Sequence, residues 1–283
     1  MKTFSKNILL GAIACFSMGS AYALPLGNPA DPALYTRGIF FDDCCDPCDP
    51  CGGWFDAISF RIGYYGDFIF NQHMERDSGG FSGDIENTEI YTNAGLFVVN
   101  FCDRVDVFAA LGATQAYVSS QSDNPLAITS TFITRPRFEV DLGTNFSWSV
   151  GARAVLWECG CTSFGIEGQY FHTHLDVKRV TAASLVSEYP SGVEAKYHEW
   201  QVGVGIAHRI HFLVPYLGVK WSRAEADLGG AVVLGNLLPD LKSKKHWGFV
   251  AGVTLLDCDV AGITVEGRWG DEKALHVNGQ VRF

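Results

Sequence analysis

The chain has 283 residues, 21 of them Lys or Arg and 31 Asp or Glu, for a formal net charge of −10 at pH 7. The balance is acidic and the basic residues are dispersed, which excludes nucleic acid as a partner. Outside the N-terminus no segment offers the roughly 18 consecutive apolar residues of a spanning helix, so only strands could cross a membrane.

Lys2 and Lys6 precede an apolar run from Ile8 to Met18, and Ala21-Tyr22-Ala23 follows as a small-x-small site. This is the three-part pattern of a secretory signal peptide, residues 1–23, cut after Ala23. Residues 24–53 are assigned to a periplasmic N-terminal segment that carries the cluster Cys44-Cys45-Asp46-Pro47-Cys48-Asp49-Pro50-Cys51. Residues 54–283 are assigned to an all-β fold, a transmembrane antiparallel β-barrel.

The barrel assignment rests on a period of two. Phe60, Ile62, Tyr64 and Phe68 alternate with Arg61 and Asp67. Phe146, Trp148 and Val150 alternate with Ser147, Ser149 and, further on, Arg153; Trp200, Val202, Val204 and Ile206 alternate with Glu199, Gln201, Gly203 and Gly205. The last ten residues alternate Leu275, Val277, Gly279, Val281 and Phe283 with His276, Asn278, Gln280 and Arg282. Successive side chains of a strand face opposite ways, so such segments have one greasy and one wet face. A soluble sandwich could show this in one strand; its repetition along the chain favours a barrel with lipid outside and polar groups inside.

Ten strands are predicted, at 54–71, 88–101, 104–119, 134–157, 160–178, 194–210, 212–226, 243–257, 259–269 and 274–283. The stretch 134–157 is long for one strand and a turn at Gly143-Thr144-Asn145 would split it. Another strand could lie in 229–238, so twelve is an open alternative; sixteen would require minimal loops. Short links alternate with longer polar ones at 72–87, 120–133, 179–193 and 227–242, the asymmetry of periplasmic turns and outer loops. An even count puts both termini on the periplasmic side.

The inner faces nominate Arg61, Asp67, Arg153, Glu167, Glu199, Lys220, Glu266, Arg268 and Arg282 as pore-lining residues of a mixed-charge, water-filled lumen. In such a lumen Thr264 and Asn278 would accept Arg, whereas the outward Val265 and Val277 would not. Trp54, Tyr91, Tyr117, Trp157, Tyr197, Trp221, Trp247 and Trp269 lie near strand ends, as interfacial girdles require.

Of nine cysteines, Cys15 lies in the signal peptide. Cys44, Cys45, Cys48 and Cys51 precede the first strand, and Cys102, Cys159, Cys161 and Cys258 all fall in short turns, which puts them on one rim. In an exported chain disulfides are favoured over the zinc or iron–sulfur site that Cys-x-x-Cys spacing also permits, because the compartment oxidises thiols and no second cluster of matching spacing exists. No metal or cofactor is predicted, and no catalytic motif is present. His172 and His174 sit two apart near an outer strand end; a weak metal pair or an outer-membrane protease group is the sharper reading, wet polar residues the plainer one.

Long strings of the chain resemble one family. They include Ala23-Leu24-Pro25-Leu26-Gly27-Asn28-Pro29-Ala30, Asp46-Pro47-Cys48-Asp49-Pro50-Cys51, Phe146-Ser147-Trp148-Ser149-Val150-Gly151-Ala152-Arg153, Trp157-Glu158-Cys159-Gly160-Cys161, Pro215-Tyr216-Leu217-Gly218-Val219-Lys220-Trp221 and the C-terminal strand. Together they resemble the chlamydial major outer membrane protein family, in order along the whole chain. The resemblance implies a β-barrel porin in outer-membrane lipid, a homotrimer, and disulfides to cysteine-rich envelope proteins, with Cys48, Cys51, Cys159 and Cys161 at family cysteine positions. The chain departs from the family in its short outer loops, in Phe55 where a cysteine is expected, and in the additional Cys44-Cys45 pair. The function expected is passive diffusion of small hydrophilic solutes and ions, with a structural role in a cross-linked envelope. The rivals are a mainly structural barrel with a closed lumen and a surface adhesin.

Overall fold

A computed structural model of the chain describes residues 24–39, 57–78, 83–123, 126–128, 131–133, 135–182, 186–188, 192–227, 232–233, 236–237 and 240–283. Ten long strands form the barrel: β1 (Ile58–Gln72), β2 (Gly83–Phe101), β3 (Val105–Ser122), β4 (Arg137–Cys159), β5 (Thr162–Ala182), β6 (Glu194–His208), β7 (Leu213–Asp227), β8 (Trp247–Asp257), β9 (Ala261–Trp269) and β10 (Glu272–Arg282). Each pairs antiparallel with its chain neighbour, and β1 pairs with β10 to close the ring. Closure leaves no unpaired sheet edge, the condition for strands in lipid. No helix among the described residues is long and apolar enough to cross a membrane.

Register follows the sequence parity. Phe60, Ile62, Phe97, Phe146, Val150, Val202, Leu217, Phe249, Ile263 and Val265 are exposed on the outer wall, while Arg61, Asp67, Ser147, Ser149, Gln201, Thr254 and His276 are buried inside. A one-residue slip would turn every one of these side chains to the wrong solvent, so the two faces lock the register.

Two turns at the short-link rim place a cysteine followed by an aspartate in left-handed backbone. Cys102 and Asp103 have φ of 54° and 49°, and Cys258 and Asp259 have 50° and 61°. Paired positive φ values are those of a type I′ turn, whose twist matches that of the flanking strands. Arg104 N donates to Phe101 O at 3.0 Å and Val260 N to Asp257 O at 3.0 Å, closing them.

The suspected turn at Gly143-Thr144-Asn145 is a bulge inside β4. Thr114 pairs with Asn145 but Ala116 with Leu142; on the other side Leu142 pairs with Val177 but Ser147 with Thr173. One extra residue on β4 keeps the strand continuous through 23 residues and switches its inward face from the even positions Phe138 and Val140 to the odd positions Ser147, Ser149 and Arg153. The region 229–238 holds only the small pair Val232–Val233 and Asn236–Leu237, outside the barrel. A further two strands, Met74–Ser78 and Asp240–Ser243, pair with each other, and the second extends β7 through Glu225↔Lys242 and Ala226↔Leu241. They close the long-loop end, where Met74 and Leu241 are buried against the lumen.

The outer wall supplies a direct test of the register. Val265→Arg puts a cation on the lipid face, at about 2–4 kcal/mol if near the midplane. It should abolish the compact, heat-modifiable form on unboiled gels, which Val265→Leu should retain.

Candidate functional site: the barrel lumen

All nine nominated residues point into the barrel and are buried: Arg61, Asp67, Arg153, Glu167, Glu199, Lys220, Glu266, Arg268 and Arg282. They do not line an open channel. They pair with one another and with a segment that the sequence reading placed outside the barrel.

That segment is 24–39. It contains one short helix, α1 (Asp31–Leu34), with Pro32 in its first turn. From Leu24 to Tyr35 it is almost wholly buried, and it occupies the lumen from mid-height to the short-turn rim. The part of 24–53 that is described therefore lies inside the barrel; the cysteine cluster, Trp54 and Phe55 lie outside the described residues.

The segment is held mainly through its main chain. Glu266 accepts from Leu26 N at 3.1 Å and Gly27 N at 2.8 Å, and its second contact oxygen also takes the Tyr216 hydroxyl at 2.8 Å. Gln201 donates to Pro25 O at 2.7 Å, and Asn100 to Pro32 O at 3.0 Å. Arg61 donates to Asp31 O at 2.9 Å and pairs with Asp106. Arg153 pairs with Asp31 and with Glu167, the latter at 2.5 Å. Arg282 reaches Tyr35 O and, at 2.9 Å, Asp103. At the rim Arg37 N donates to Asp259 O at 3.2 Å and Ile39 N to Arg282 O at 3.2 Å. An aperiodic backbone has no internal hydrogen bonds of its own, so burying it requires such partners.

Above the segment Arg268 bonds Asp67 at 2.6 Å and forms an ion pair with Glu272 at 2.5 Å, and Lys220 bonds Glu272 and Leu24 O, each at 2.8 Å. Still higher, at the long-loop end, the inner face is apolar: Ile69, Ile90, Val118, Phe138, Val140, Leu175 and Val177 form one cluster. Tyr197, assigned by sequence to the outer girdle, is in this layer; it points inward and donates to Glu199 at 2.6 Å. Two cavities beside the charged and apolar layers measure about 20 Å³ each, a single water's worth. The expectation of a water-filled lumen is thus corrected. With Thr264 bonded to Thr254 at 2.7 Å in a packed interior, Arg has no room there, and Asn278, 5% exposed, is as enclosed.

Small residues make the space. A Cβ at Gly203 or Gly218 would collide with the Leu26 side chain, and one at Gly165 would come within 2.5 Å of the Pro29 carbonyl. Gly27 has φ of +66° and lies under the Arg153 guanidinium, where any side chain would strike it. The inner-face glycines on β5, β6 and β7 were visible in the sequence; what they accommodate was not.

The turn cysteines gather at the short-turn rim as expected. Cys159, Cys161 and Cys258 are exposed free thiols, and Cys102 is disulfide-bonded. The Asp257 carboxylate beside Cys258 raises its thiol above the ordinary range by accepting its proton in a hydrogen bond. His172 and His174 stack edge to face at 4.8 Å near Trp148, and no acidic or sulfur ligands complete a metal group among the described residues.

Gly218→Val should push Leu26 from its seat at an overpacking cost of about 1–3 kcal/mol. Limited proteolysis of the detergent-solubilised protein should then cut within 24–39, which the unaltered protein should resist.

Comparison with known proteins fits this architecture. The family model described as "Chlamydia major outer membrane protein" matches residues 1–80, 71–195, 191–234 and 231–283. A major outer membrane porin of Chlamydia pneumoniae is 31% identical and one of Chlamydia psittaci 33%, each alignment covering 100% of both chains. The serovar D porin of Chlamydia trachomatis is 31% identical, again over both whole chains. Among solved structures, the outer membrane protease OmpT of Escherichia coli overlaps with a TM-score of 0.39 at 11% identity, covering 80% of this chain and 95% of that one. A FadL homologue of Pseudomonas aeruginosa overlaps with a TM-score of 0.37 at 11% identity, covering 89% and 81%. Relatives named as porins point to a channel role without catalysis and to an outer-membrane, lipid-bounded location. The chain belongs to the chlamydial major outer membrane protein family.

Proposed function

We propose that this protein is a porin with a closed resting state, which passes small hydrophilic solutes and ions only when the N-terminal segment leaves the barrel. The observation that carries the reading is the pairing of lumen charges with that segment. Glu266, Arg61, Arg153 and Arg282 each hold part of it, and with it gone each would face water. A path with charges of both signs would favour small hydrated solutes and ions over apolar ones. Among the described residues the segment is held by hydrogen bonds, by the Arg153–Asp31 ion pair and by apolar contacts of Leu24, Leu26, Leu34 and Tyr35.

A second reading, a mainly structural barrel, is favoured by the apolar layer at the long-loop end. That layer, in which the Leu24 side chain also packs, lies across the lumen above the rest of the segment. Both readings include cross-linking: exposed Cys159, Cys161 and Cys258 on one rim are suited to disulfides with cysteine-rich envelope proteins or with other copies of this chain in a homotrimer.

Planar-bilayer recording separates the readings. The unaltered protein should be closed for most of the time, and the double variant Gly203→Val with Gly218→Val should conduct. If neither conducts at any voltage, the porin reading fails and the structural one stands. For the rim, envelope preparations run without reductant should show high-mass species that the triple replacement of Cys159, Cys161 and Cys258 by Ser diminishes; an unchanged ladder contradicts cross-linking through this rim.

A further inference from the structure

We propose that the lumen contains a built site for an α-ammonium group, the one created when the chain is cut between Ala23 and Leu24, and that Glu199 is its counter-ion. The inference is independent of whether the barrel conducts. Leu24 N lies 3.0 Å from Glu199 Oε1, and Lys220 Nζ lies 2.8 Å from Leu24 O. Leu24 is therefore gripped at both ends of its backbone, and its side chain packs into the apolar layer at 3% exposure.

The electrostatics of the pocket ask for a cation. Among the described residues, eight buried carboxylates in the barrel interior face five buried Lys and Arg side chains. Glu199 has no Lys, Arg or His within ion-pair distance among those residues; its hydrogen-bond partners are Leu24 N and the Tyr197 hydroxyl, and Lys220, Glu272 and Asp271 are the charged groups around it. A buried carboxylate with only neutral donors is costly, and an adjacent cation removes much of that cost.

Cleavage supplies one. A signal peptidase adds water across the Ala23–Leu24 bond: the hydroxyl goes to the Ala23 carbonyl carbon, which departs as a carboxylate. The Leu24 nitrogen keeps the bonding electron pair, becomes an amine and takes a proton. An α-amine with an ordinary pKa of about 7.7–8.0 is mostly charged at neutral pH, and more so beside a carboxylate. One neutral N–H thus becomes a unit charge with three donors.

Acceptors for the added donors are close by in the network. Gln72 Oε1 and Gln201 Oε1 are buried without a hydrogen-bond partner among the described residues. Gln72 is joined to Glu199 through the Tyr197 hydroxyl at 2.6 Å, and Gln201 holds Pro25 O, the next carbonyl along. Processing and docking are then coupled: the segment seats fully only after the leader is gone, so the barrel closes after export.

The test uses the full processed protein in detergent. N-terminal sequencing should begin at Leu24. An amine-reactive acetylating ester at pH about 8 should modify the Leu24 amine at least about tenfold more slowly in the folded than in the urea-unfolded protein, because reaction requires local opening. After ¹³C-dimethylation of the N-terminus in unfolded protein and refolding, NMR titration should place the Leu24 ammonium above the ordinary α-amine range, and Glu199→Gln should bring it down. A mature chain beginning elsewhere, equal reactivity folded and unfolded, or a titration that Glu199→Gln leaves in place would each overturn the proposal. Should Glu199→Gln fail to fold, the protection and titration of the unaltered protein still decide it.

Discussion

A carboxylate at the centre of a narrow barrel must have its lone pairs satisfied, and Glu266 meets that demand with main-chain amides. Leu26 N, Gly27 N and the Tyr216 hydroxyl converge on it, while Arg268 stands 3.9 Å away. The rest of the lumen follows from this bond. Once the segment is anchored at Leu26 and Gly27, Asp31 is delivered to Arg153 and its carbonyl to Arg61, and Tyr35 O is delivered to Arg282. Removing either partner of such a buried set leaves a charge or a backbone group stranded, at about 3–5 kcal/mol for an ion.

The barrel wall and the lumen obey different physics. The wall is held by inter-strand hydrogen bonds and by lipid, and its outward residues need only be apolar. The interior of a ten-strand ring is too narrow for water to solvate every charge freely, so side chains and a piece of the same polypeptide fill it. Three layers result: an apolar layer under the lid strands, a charged layer around Arg268 and Lys220, and the segment 24–39 down to the rim. The same charges that a wide porin would present to passing solutes here serve as the segment's seat.

Parity was legible because a period of two is set by the strand backbone itself. The direction of all nine charged residues came from it, and the rim position of the turn cysteines came from the alternation of short and long links. The bulge in β4 was legible only as a stretch too long for comfort, since Gly143-Thr144-Asn145 reads equally as a turn. The segment was illegible for a physical reason: residues 24–35 have neither a sustained helical nor a strand period, and they are held mainly through their own main-chain atoms, which carry no residue identity. One indirect signal existed, inner-face glycines at 165, 203, 205 and 218 facing one side. Tyr197 was misplaced because an aromatic near a strand end reads as a girdle residue, although its parity with Glu199 already pointed it inward.

Hydrogen–deuterium exchange tests the central claim, that the N-terminal segment is part of the barrel interior. Backbone amides of Leu26 and Gly27 should exchange as slowly as those of strands β6 and β7, since their bonds to Glu266 open only with the barrel interior. Exchange of 24–35 at the rate of an unstructured peptide, with the strands still protected, would contradict the account.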